Sequence, residues 1–387
     1  MPIINRIAAL HDEMTAWRRE LHAHPELAFE EKRTADFVAE KLKSFGIDVH
    51  RGLAGTGVVG SLKGNPGGRA IGLRADLDAL PIQEANQFGH RSQSNGRMHA
   101  CGHDGHVTML LGAAKYLAET RGFAGTVHFI FQPAEEAAGG GKVMVDEGLF
   151  TKFPVEAVYG MHNWPGLNVG EFSVRSGPIM ASLDLFDIEI TGRGSHGAMP
   201  HHGVDPIVAA AQVVNALQTI ASRNADPIEA AVVSVTQIHG GDAYNVIPDT
   251  VKLAGTTRTL KPEVRDLVEK RLRAIAESTA TALGCRAKVD YRRCYPSTVN
   301  HEAETRDSLK AAQAVAGGPK VHTDLPPAMG SEDFAFMLEA RPGCYVWIGN
   351  GPREGGCTLH NAYYDFNDEI LPLGASYWAT LVEQKLT

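Results

Sequence analysis

The chain has 387 residues, of which 43% are hydrophobic and 21% are charged, and its formal net charge is −8. A mildly acidic chain argues against nucleic acid as a partner, and no apolar stretch approaches the roughly 18–20 residues that cross a bilayer. Five cysteines in a chain of this length do not form a disulfide framework. Since the N-terminus also lacks an apolar signal segment, we expect a cytoplasmic protein with two domains.

The first part of the chain alternates helical and strand-like segments. Helical spacing predicts helices over residues 5–22, 31–45 and 103–119. Short apolar runs predict strands over residues 58–62, 70–73, 126–131 and 157–161. Gly46 is expected to end the second helix. Strands that alternate with helices predict a mostly parallel sheet that is covered on both faces.

The pattern changes at about residue 183. Strands are predicted over residues 183–190, 230–238, 251–259 and 286–292, and helices over 205–222 and 262–283. Asp205 and Pro206 are expected to be the N-cap and first residue of the first helix, and Gly284 to end the second. The order β-α-β-β-α-β predicts a self-contained, ferredoxin-like insert.

After Cys294 the first pattern returns, with a strand at residues 344–348 and a helix at 368–384. Ser331, Glu332 and Asp333 are interpreted as an N-cap and first-turn acids of a short helix. The sequence therefore predicts a discontinuous larger domain, residues 1–180 and 294–387, interrupted by an inserted domain, residues 181–293.

Five short clusters contain residue types that bind metals or transfer protons. They are residues 76–78, 99–106, 132–136, 160–164 and 359–361. Three of them directly follow predicted strands, and ligands of open α/β sheets lie beyond the carboxyl ends of strands. Each residue alone is compatible with an ordinary loop or surface position. Their joint placement predicts a metal site in a crevice.

Two pairs of residues indicate the chemistry of that site. Cys101 and His103 are close enough in sequence to serve one metal site, and a thiolate can bridge two cations. Glu135 and Glu136, on an irregular turn, point in different directions, so that one can bind metal while the other acts as general base. A metal lowers the pKa of water towards ~7, and two cations ~3.5–4 Å apart stabilise an oxyanion. This pattern is typical of a metal hydrolase.

At these clusters the chain resembles the metallo-amidohydrolases of the aminoacylase and zinc carboxypeptidase type. The branch that it resembles holds hippurate hydrolase, N-acetyl-diaminopimelate deacetylase and the plant auxin-conjugate hydrolases. The matching stretches, which run nearly end to end, are RRELHAHPELAFE (18–30), RADLDALP (74–81), MHACGHDGH (98–106), FQPAEE (131–136), GMHN (160–163), GRGSHGAMP (192–200), NVIPD (245–249), GSEDF (330–334) and LHNA (359–362).

The resemblance implies an α/β catalytic domain of the zinc-peptidase type, with a mixed sheet and helices on both faces. It also implies an inserted ferredoxin-like α+β lid that often dimerises. We therefore expect a homodimer or homotetramer that forms through the inserted domain. Two divalent ions per chain are implied: zinc or manganese first, with cobalt or nickel also compatible with a mixed N/O/S ligand set.

The resemblance also assigns roles to residues of the larger domain. The metal ligands that it implies are Cys101, His103, Glu136, His162 and His360. Cys101 is expected to bridge the two ions, with His103 and His162 on one of them and the other two ligands on the second. Glu135 is expected to be the general base, and Asp78 to orient ligands without binding metal.

Three residues of the insert are also implicated. The resemblance makes His196 a substrate or oxyanion contact, although a loop histidine beside a glycine turn is the simpler interpretation. Asn245 is expected to bind substrate. Arg258 suits the capture of a carboxylate, and a surface position on a strand is the alternative.

The function that the resemblance implies is metal-dependent hydrolysis of the amide bond of N-acyl amino acids. The substrate would be hippurate-like, N-acetyl or another small N-acyl amino acid, and the products a carboxylic acid and a free amino acid. A dipeptidase or carboxypeptidase of the same fold is the closer alternative, although the pattern of Cys101 and His103 favours simple acyl groups. A non-catalytic protein that binds amino acids or metal is disfavoured, because it needs no base such as Glu135.

Overall fold

The structure, a computed structural model, describes residues 3–136 and 138–387 and divides into two compact units. The first unit comprises the described residues up to 177, together with 299–326 and 333–387. The second unit comprises residues 178–298 and 327–332. The predicted insert, residues 181–293, lies within the second unit. No sequence pattern predicts that residues 327–332 pack with that unit.

The strands of the described residues are β1 (Asp48–Leu53), β2 (Gly57–Lys63), β3 (Asn65–Asp76), β4 (Ala124–Gln132), β5 (Ala157–Pro165), β6 (Phe172–Ser173), β7 (Gly177–Met180), β8 (Leu183–Thr191), β9 (Ser195–His196), β10 (Ala231–His239), β11 (Val246–Ile247), β12 (Thr250–Thr259), β13 (Arg286–Tyr295), β14 (Thr298–Asn300), β15 (Val321–His322) and β16 (Gly343–Gly351).

The α-helices are α1 (Asn5–Ala8), α2 (His11–Ala23), α3 (Lys32–Ser44), α4 (His103–Thr120), α5 (Gly140–Asp146), α6 (Leu149–Lys152), α7 (Pro206–Leu217), α8 (Pro262–Ala282), α9 (Glu302–Ala316), α10 (Phe334–Ala340) and α11 (Leu371–Lys385). Among the described residues, no helix combines the length and apolar character that crossing a membrane requires.

The first unit is built on a mixed sheet of eight strands in the order β1-β2-β4-β3-β5-β16-β6-β15. Strands β4, β3, β5 and β16 are parallel neighbours, while β1 and β2 add an antiparallel edge. Every residue of β16 is buried, as expected for a central parallel strand that is covered on both faces. This arrangement confirms the predicted α/β class with a mixed sheet.

The second unit has a four-stranded antiparallel sheet in the order β10-β12-β8-β13, on which α7 and α8 pack. In β8, Phe186, Ile188 and Ile190 are buried and alternate with exposed residues, as the sequence predicts. The Asp205 carboxylate accepts the N–H of Ile207 at 2.8 Å and so caps α7. Apart from the short β9 and β11, the elements follow the predicted order β-α-β-β-α-β, and the ferredoxin-like prediction is confirmed.

Three predictions about helices are wrong in part. The helix predicted over residues 5–22 is divided into α1 and α2, although Ile7, Leu10 and Met14 are all buried, as one face of a continuous helix would be. The helix predicted over 205–222 ends as an α-helix at residue 217, and the π-helical turn Ile220–Asn224 follows it. The third error concerns Asp333. Helix α10 begins only at Phe334, and the Asp333 carboxylate makes no cap bond but accepts hydrogen bonds from Arg74 and Gln132.

Candidate metal centre

The parallel strands β4, β3 and β5 bring three of the predicted clusters to one edge of the sheet. Asp76 ends β3, Gln132 ends β4, and His162 lies in the second half of β5. Cys101 lies just before α4, whose first residue is His103. Since neighbouring parallel strands end at the same side of a sheet, clusters that lie far apart in sequence converge here.

The five predicted metal ligands form two groups that share Cys101. The ligand atoms of Cys101, His103 and His162 lie within 4.8 Å of one another, and so do those of Cys101, Glu136 and His360. The Cys101 Sγ atom is 3.3 Å from His162 Nε2, and Glu136 Oε1 is 3.2 Å from His360 Nε2. These groups match the division that the resemblance implies, but ligand atoms of His103 and Glu136 also lie within 4.8 Å of each other, and the division stays a prediction.

Hydrogen bonds to main-chain carbonyls orient both buried imidazoles. His103 Nδ1 donates to the carbonyl oxygen of Asp78 at 2.8 Å, and His162 Nδ1 donates to that of Asn163 at 2.6 Å. Because Nδ1 then carries the hydrogen, the lone pair is on Nε2 in each neutral ring. Histidines that bind metals are commonly oriented in this way.

The donor atoms of this centre fit a metal ion. Within the described part of the chain, the buried His103 Nε2 and Glu136 Oε1 have no hydrogen-bond partner, since the 3.2 Å contact of Glu136 Oε1 with His360 Nε2 lacks hydrogen-bond geometry. Buried polar atoms without a partner are costly, and a bound cation satisfies them. Burial opposes a charge on His103, but the carboxylates of Asp76 and Asp78 outweigh burial and raise its pKa to about 10. The carboxylates that stabilise the protonated ring would equally stabilise a metal cation, which would replace the proton on Nε2.

Asp78 contacts two of the predicted ligands at once. Its Oδ2 atom accepts the main-chain N–H of Glu136 at 2.9 Å, and its Oδ1 atom lies 3.4 Å from His103 Nδ1. Together with the hydrogen bond from His103 Nδ1 to the main-chain carbonyl of Asp78, these contacts are those expected if Asp78 orients the ligands. The carboxylate of Glu135 is also close, because an oxygen of it lies within 4.8 Å of ligand atoms of His103 and Glu136.

A buried polar network beneath the centre was missed by the sequence analysis. Asp76 Oδ1 accepts from His106 Nδ1 at 2.7 Å, and His106 Nε2 accepts the main-chain N–H of Asn163 at 2.9 Å. Arg74 Nη1 donates to Asp76 Oδ2 at 2.7 Å. Burial would raise the pKa of Asp76, but the charges on His103 and Arg74 outweigh it and hold that pKa well below its usual range. The motif RADLD and the last histidine of residues 99–106 were the available signals.

Two residues of the centre, Gly102 and His360, have backbone conformations with positive φ. Gly102 has φ +94°, and a Cβ atom there would lie 2.2 Å from Asn163 Nδ2, so that no side chain fits before α4. His360 has φ 62°, a left-handed conformation that non-glycine residues rarely adopt, and its main-chain N–H donates to the carbonyl of Ala100 at 2.8 Å. Strained residues of this kind cluster at functional sites.

The residues predicted in the insert all lie in the second unit. His196 in β9 pairs with Val246 in β11, and the carbonyl of Asn245 accepts the N–H of Gly197 at 2.7 Å. His196 and Asn245 both line a cavity of about 470 Å³. Arg258, in β12, is half-buried, and its Nη1 donates to Ser331 Oγ at 3.0 Å. Among the described residues no carboxylate forms an ion pair with it, so the guanidinium keeps donors for a ligand.

Comparison with known proteins finds a matching family, similar relatives and a similar solved structure. The model of "Peptidase family M20/M25/M40" matches residues 72–384. The chain is 42% identical to hippurate hydrolase of Campylobacter jejuni over 98% of both chains, and 39% identical to N-acetylcysteine deacetylase of Bacillus subtilis over 96% of this chain and 97% of the relative. The structure is similar to that of the YXEP protein of Bacillus subtilis, described as a dinuclear metal binding peptidase from the M20 family. The TM-score is 0.86 at 37% identity, over 98% of this chain and 99% of that one.

Proposed function

The chain belongs to peptidase family M20/M25/M40, and we propose that it hydrolyses the amide bond of N-acyl amino acids in a metal-dependent reaction. The products are a carboxylic acid and a free amino acid. The observation that carries the proposal is the position of Cys101 in both ligand groups, with the carboxylate of Glu135 near His103 and Glu136. A protein that only binds amino acids or metal does not need that additional carboxylate.

Two divalent cations fit the two ligand groups. One would be held by Cys101, His103 and His162, and the other by Cys101, Glu136 and His360. The thiolate suits zinc, and the imidazole and carboxylate ligands also admit manganese, cobalt or nickel. When bound, such cations polarise the amide carbonyl and make a neighbouring water more acidic.

The side chains of the protein move the proton and hold the reacting groups. Glu135 takes a proton from the attacking water and delivers it to the leaving nitrogen. Asp78 keeps His103 and Glu136 in place through its contacts with both residues. In the second unit, we assign to His196 a hydrogen bond to the carbonyl oxygen, and to Arg258 and Asn245 the binding of the amino acid part, with Arg258 on its carboxylate.

A substrate panel tests this proposal. The purified protein, loaded in turn with zinc, manganese, cobalt and nickel, is assayed with N-benzoyl and N-acetyl amino acids and with dipeptides that carry a free amine. We expect turnover of the N-acyl compounds, which a chelator abolishes. Faster turnover of dipeptides would favour the alternative of a dipeptidase or carboxypeptidase. Binding of N-acyl amino acids without turnover under any metal would favour a binding protein.

We also propose that the protein forms a homodimer or homotetramer through its second unit and acts in the cytoplasm. Support for the oligomer comes from large apolar side chains that are exposed in that unit, namely those of Ile207, Val208, Ile238, Tyr244 and Val246. Light scattering coupled to gel filtration measures the mass of the oligomer, and a mass equal to one chain at micromolar concentration would contradict a dimer or tetramer.

A further inference from the structure

We propose that Glu31 is a positioning residue that holds the turn carrying Glu135 and Glu136 by accepting the main-chain N–H of Ala134. The inference rests on the proposed roles of Glu135 and Glu136. Glu31 follows the N-terminal stretch RRELHAHPELAFE, to which the sequence analysis assigned no chemical role.

The Glu31 carboxylate is fully buried and joins three segments of the first unit. Its Oε1 atom accepts the main-chain N–H groups of Ala134 and Phe29, each at 2.9 Å. Its Oε2 atom accepts from the hydroxyl of Thr56 at 2.6 Å. The side chain thus connects the segment before α3, the turn between β1 and β2, and the loop after β4.

Both residues that donate to Oε1 have an unusual backbone conformation. Ala134 has φ 57° and Phe29 has φ 63°, values in the left-handed region that L-residues with a Cβ atom rarely adopt. Such a conformation persists only where the surroundings hold it in place. Since one buried oxygen accepts the N–H group of both residues, we infer that it stabilises both turns.

The turn at Ala134 determines where the two following carboxylates point. The carbonyl of Ala134 accepts the N–H of Gly140 at 2.9 Å, and the N–H of Glu136 donates to Asp78 at 2.9 Å. Gly140 is needed for this closure, because a Cβ atom there would lie 1.8 Å from the carbonyl oxygen of Pro133. Glu31 therefore holds Ala134 at the start of the turn, and Asp78 holds Glu136.

The geometry indicates that Glu31 acts as an acceptor and that its charge is secondary. Both main-chain bonds end on the same oxygen, and the partner of the other oxygen is a hydroxyl, which can also accept. A glutamine could keep an oxygen at Oε1 and donate its amide to Thr56 Oγ1. A methionine, of similar length, leaves the N–H groups of Phe29 and Ala134 without an acceptor.

The test compares Glu31→Gln and Glu31→Met in two backgrounds, the parent protein and Ala134→Gly. Glycine adopts positive φ freely, so in the Ala134→Gly background the turn should depend less on the acceptor at residue 31. Cation affinity is measured by calorimetric titration of the metal-free protein with zinc, and kcat and KM with the best substrate of the panel. Glu30→Met, the same substitution at the exposed neighbouring residue, is the matched control.

We expect Glu31→Met to lower cation affinity and kcat by about 10- to 100-fold, with little change in KM because Glu31 does not bind substrate. Glu31→Gln and Glu30→Met should remain close to the parent. In the Ala134→Gly background, the loss that Glu31→Met causes should be clearly smaller. If Glu31→Met does not fold, Glu31→Asp takes its place, because its shorter side chain moves the acceptor away by one methylene. Its losses in cation affinity and kcat should likewise be smaller in the Ala134→Gly background.

Three results would overturn the proposal. Glu31→Met with parent affinity and kcat would show that the turn does not depend on Glu31. A loss of cation affinity and kcat in Glu31→Gln as large as that in Glu31→Met would show that the negative charge of Glu31 is required. An equal loss in both backgrounds would show that Glu31 does not act through Ala134. The zinc titration needs no substrate, so it tests Glu31 even if the substrate panel disproves the proposed function.

Discussion

His103 and Asp78 are joined by a hydrogen bond of 2.8 Å from the imidazole Nδ1 to the main-chain carbonyl oxygen of Asp78. A carbonyl oxygen only accepts, so this bond fixes the hydrogen on Nδ1 and leaves the lone pair of the neutral ring on Nε2, where a metal ion can bind. The same aspartate holds the main-chain N–H of Glu136 through its carboxylate. One residue therefore orients a ligand of each group.

The shared position of Cys101 leads to a prediction about metal stoichiometry. Cys101→Ser should lose both cations, because the weaker hydroxyl ligand affects both groups, whereas His162→Ala should mainly lose one. Metal per chain, measured by plasma emission after dialysis, distinguishes the two. Cys294→Ser, at a half-buried cysteine of the second unit, is the control and should keep the parent content. One remaining cation in Cys101→Ser would contradict a shared ligand.

Glu135 and Glu136 should respond differently to the same substitution. Glu135→Gln should keep its metal and lose turnover by about 100- to 10,000-fold, because the water loses its base. Glu136→Gln should lose metal as well, because an amide is a poorer ligand than a carboxylate. Metal content and kcat, measured on the same preparations, check both statements. Equal metal loss in the two variants would mean that the two roles are assigned wrongly.

The candidate ligands could be proposed from the sequence because they stand in short local motifs. Histidine, cysteine and glutamate are rare in combination, and the resemblance places each of them in a short motif. The strand order of the sheet and the loops beside it then bring Cys101 close to His162 in one group and close to Glu136 and His360 in the other. The alternation in β8 is also a local feature that can be predicted, because buried and exposed residues follow one another with a period of two.

The buried polar contacts could not be predicted in this way. Asp333 and Arg74 are 259 residues apart, and nothing in the local pattern around Asp333 separates a helix cap from a buried partner of an arginine. Glu31 lies beside the exposed Glu30, and the two acids are indistinguishable until the turn at Ala134 is seen. Such contacts depend on which segments meet in space.

Buried His22 should make stability depend on pH. Burial opposes a charge on it, but hydrogen bonds to Asp104 and Glu84 outweigh burial and raise its pKa from 6.5 to about 9. A raised pKa stabilises the folded state fully below pH 6.5, and this contribution is lost as the pH rises through 9. The difference corresponds to roughly 3 kcal/mol, at about 1.4 kcal/mol per pKa unit.

The test is His22→Gln, which keeps polar atoms but cannot take up a proton. Its free energy of unfolding in urea should fall below that of the parent by much more at pH 6 than at pH 10. His24→Gln, at a partly exposed histidine on the surface, is the control and should show a small difference at both values. A parent-to-variant difference that does not change with pH would refute the role of a charged His22.

The second unit should affect catalysis without affecting metal content. His196→Ala should keep both cations and lower kcat by about 100- to 1,000-fold, because a donor to the developing oxyanion is lost. Arg258→Ala should instead raise KM by roughly 10- to 100-fold for substrates with a free carboxylate, and should matter little for amidated analogues. His202→Ala, at an exposed histidine of the same unit, is the control. The two variants should therefore change different kinetic constants. A donor that acts in the transition state changes kcat, whereas a group that binds substrate and transition state alike changes KM. Parent-like kcat in His196→Ala, or equal effects of Arg258→Ala on free and amidated substrates, would show that these side chains do not touch the reacting molecule.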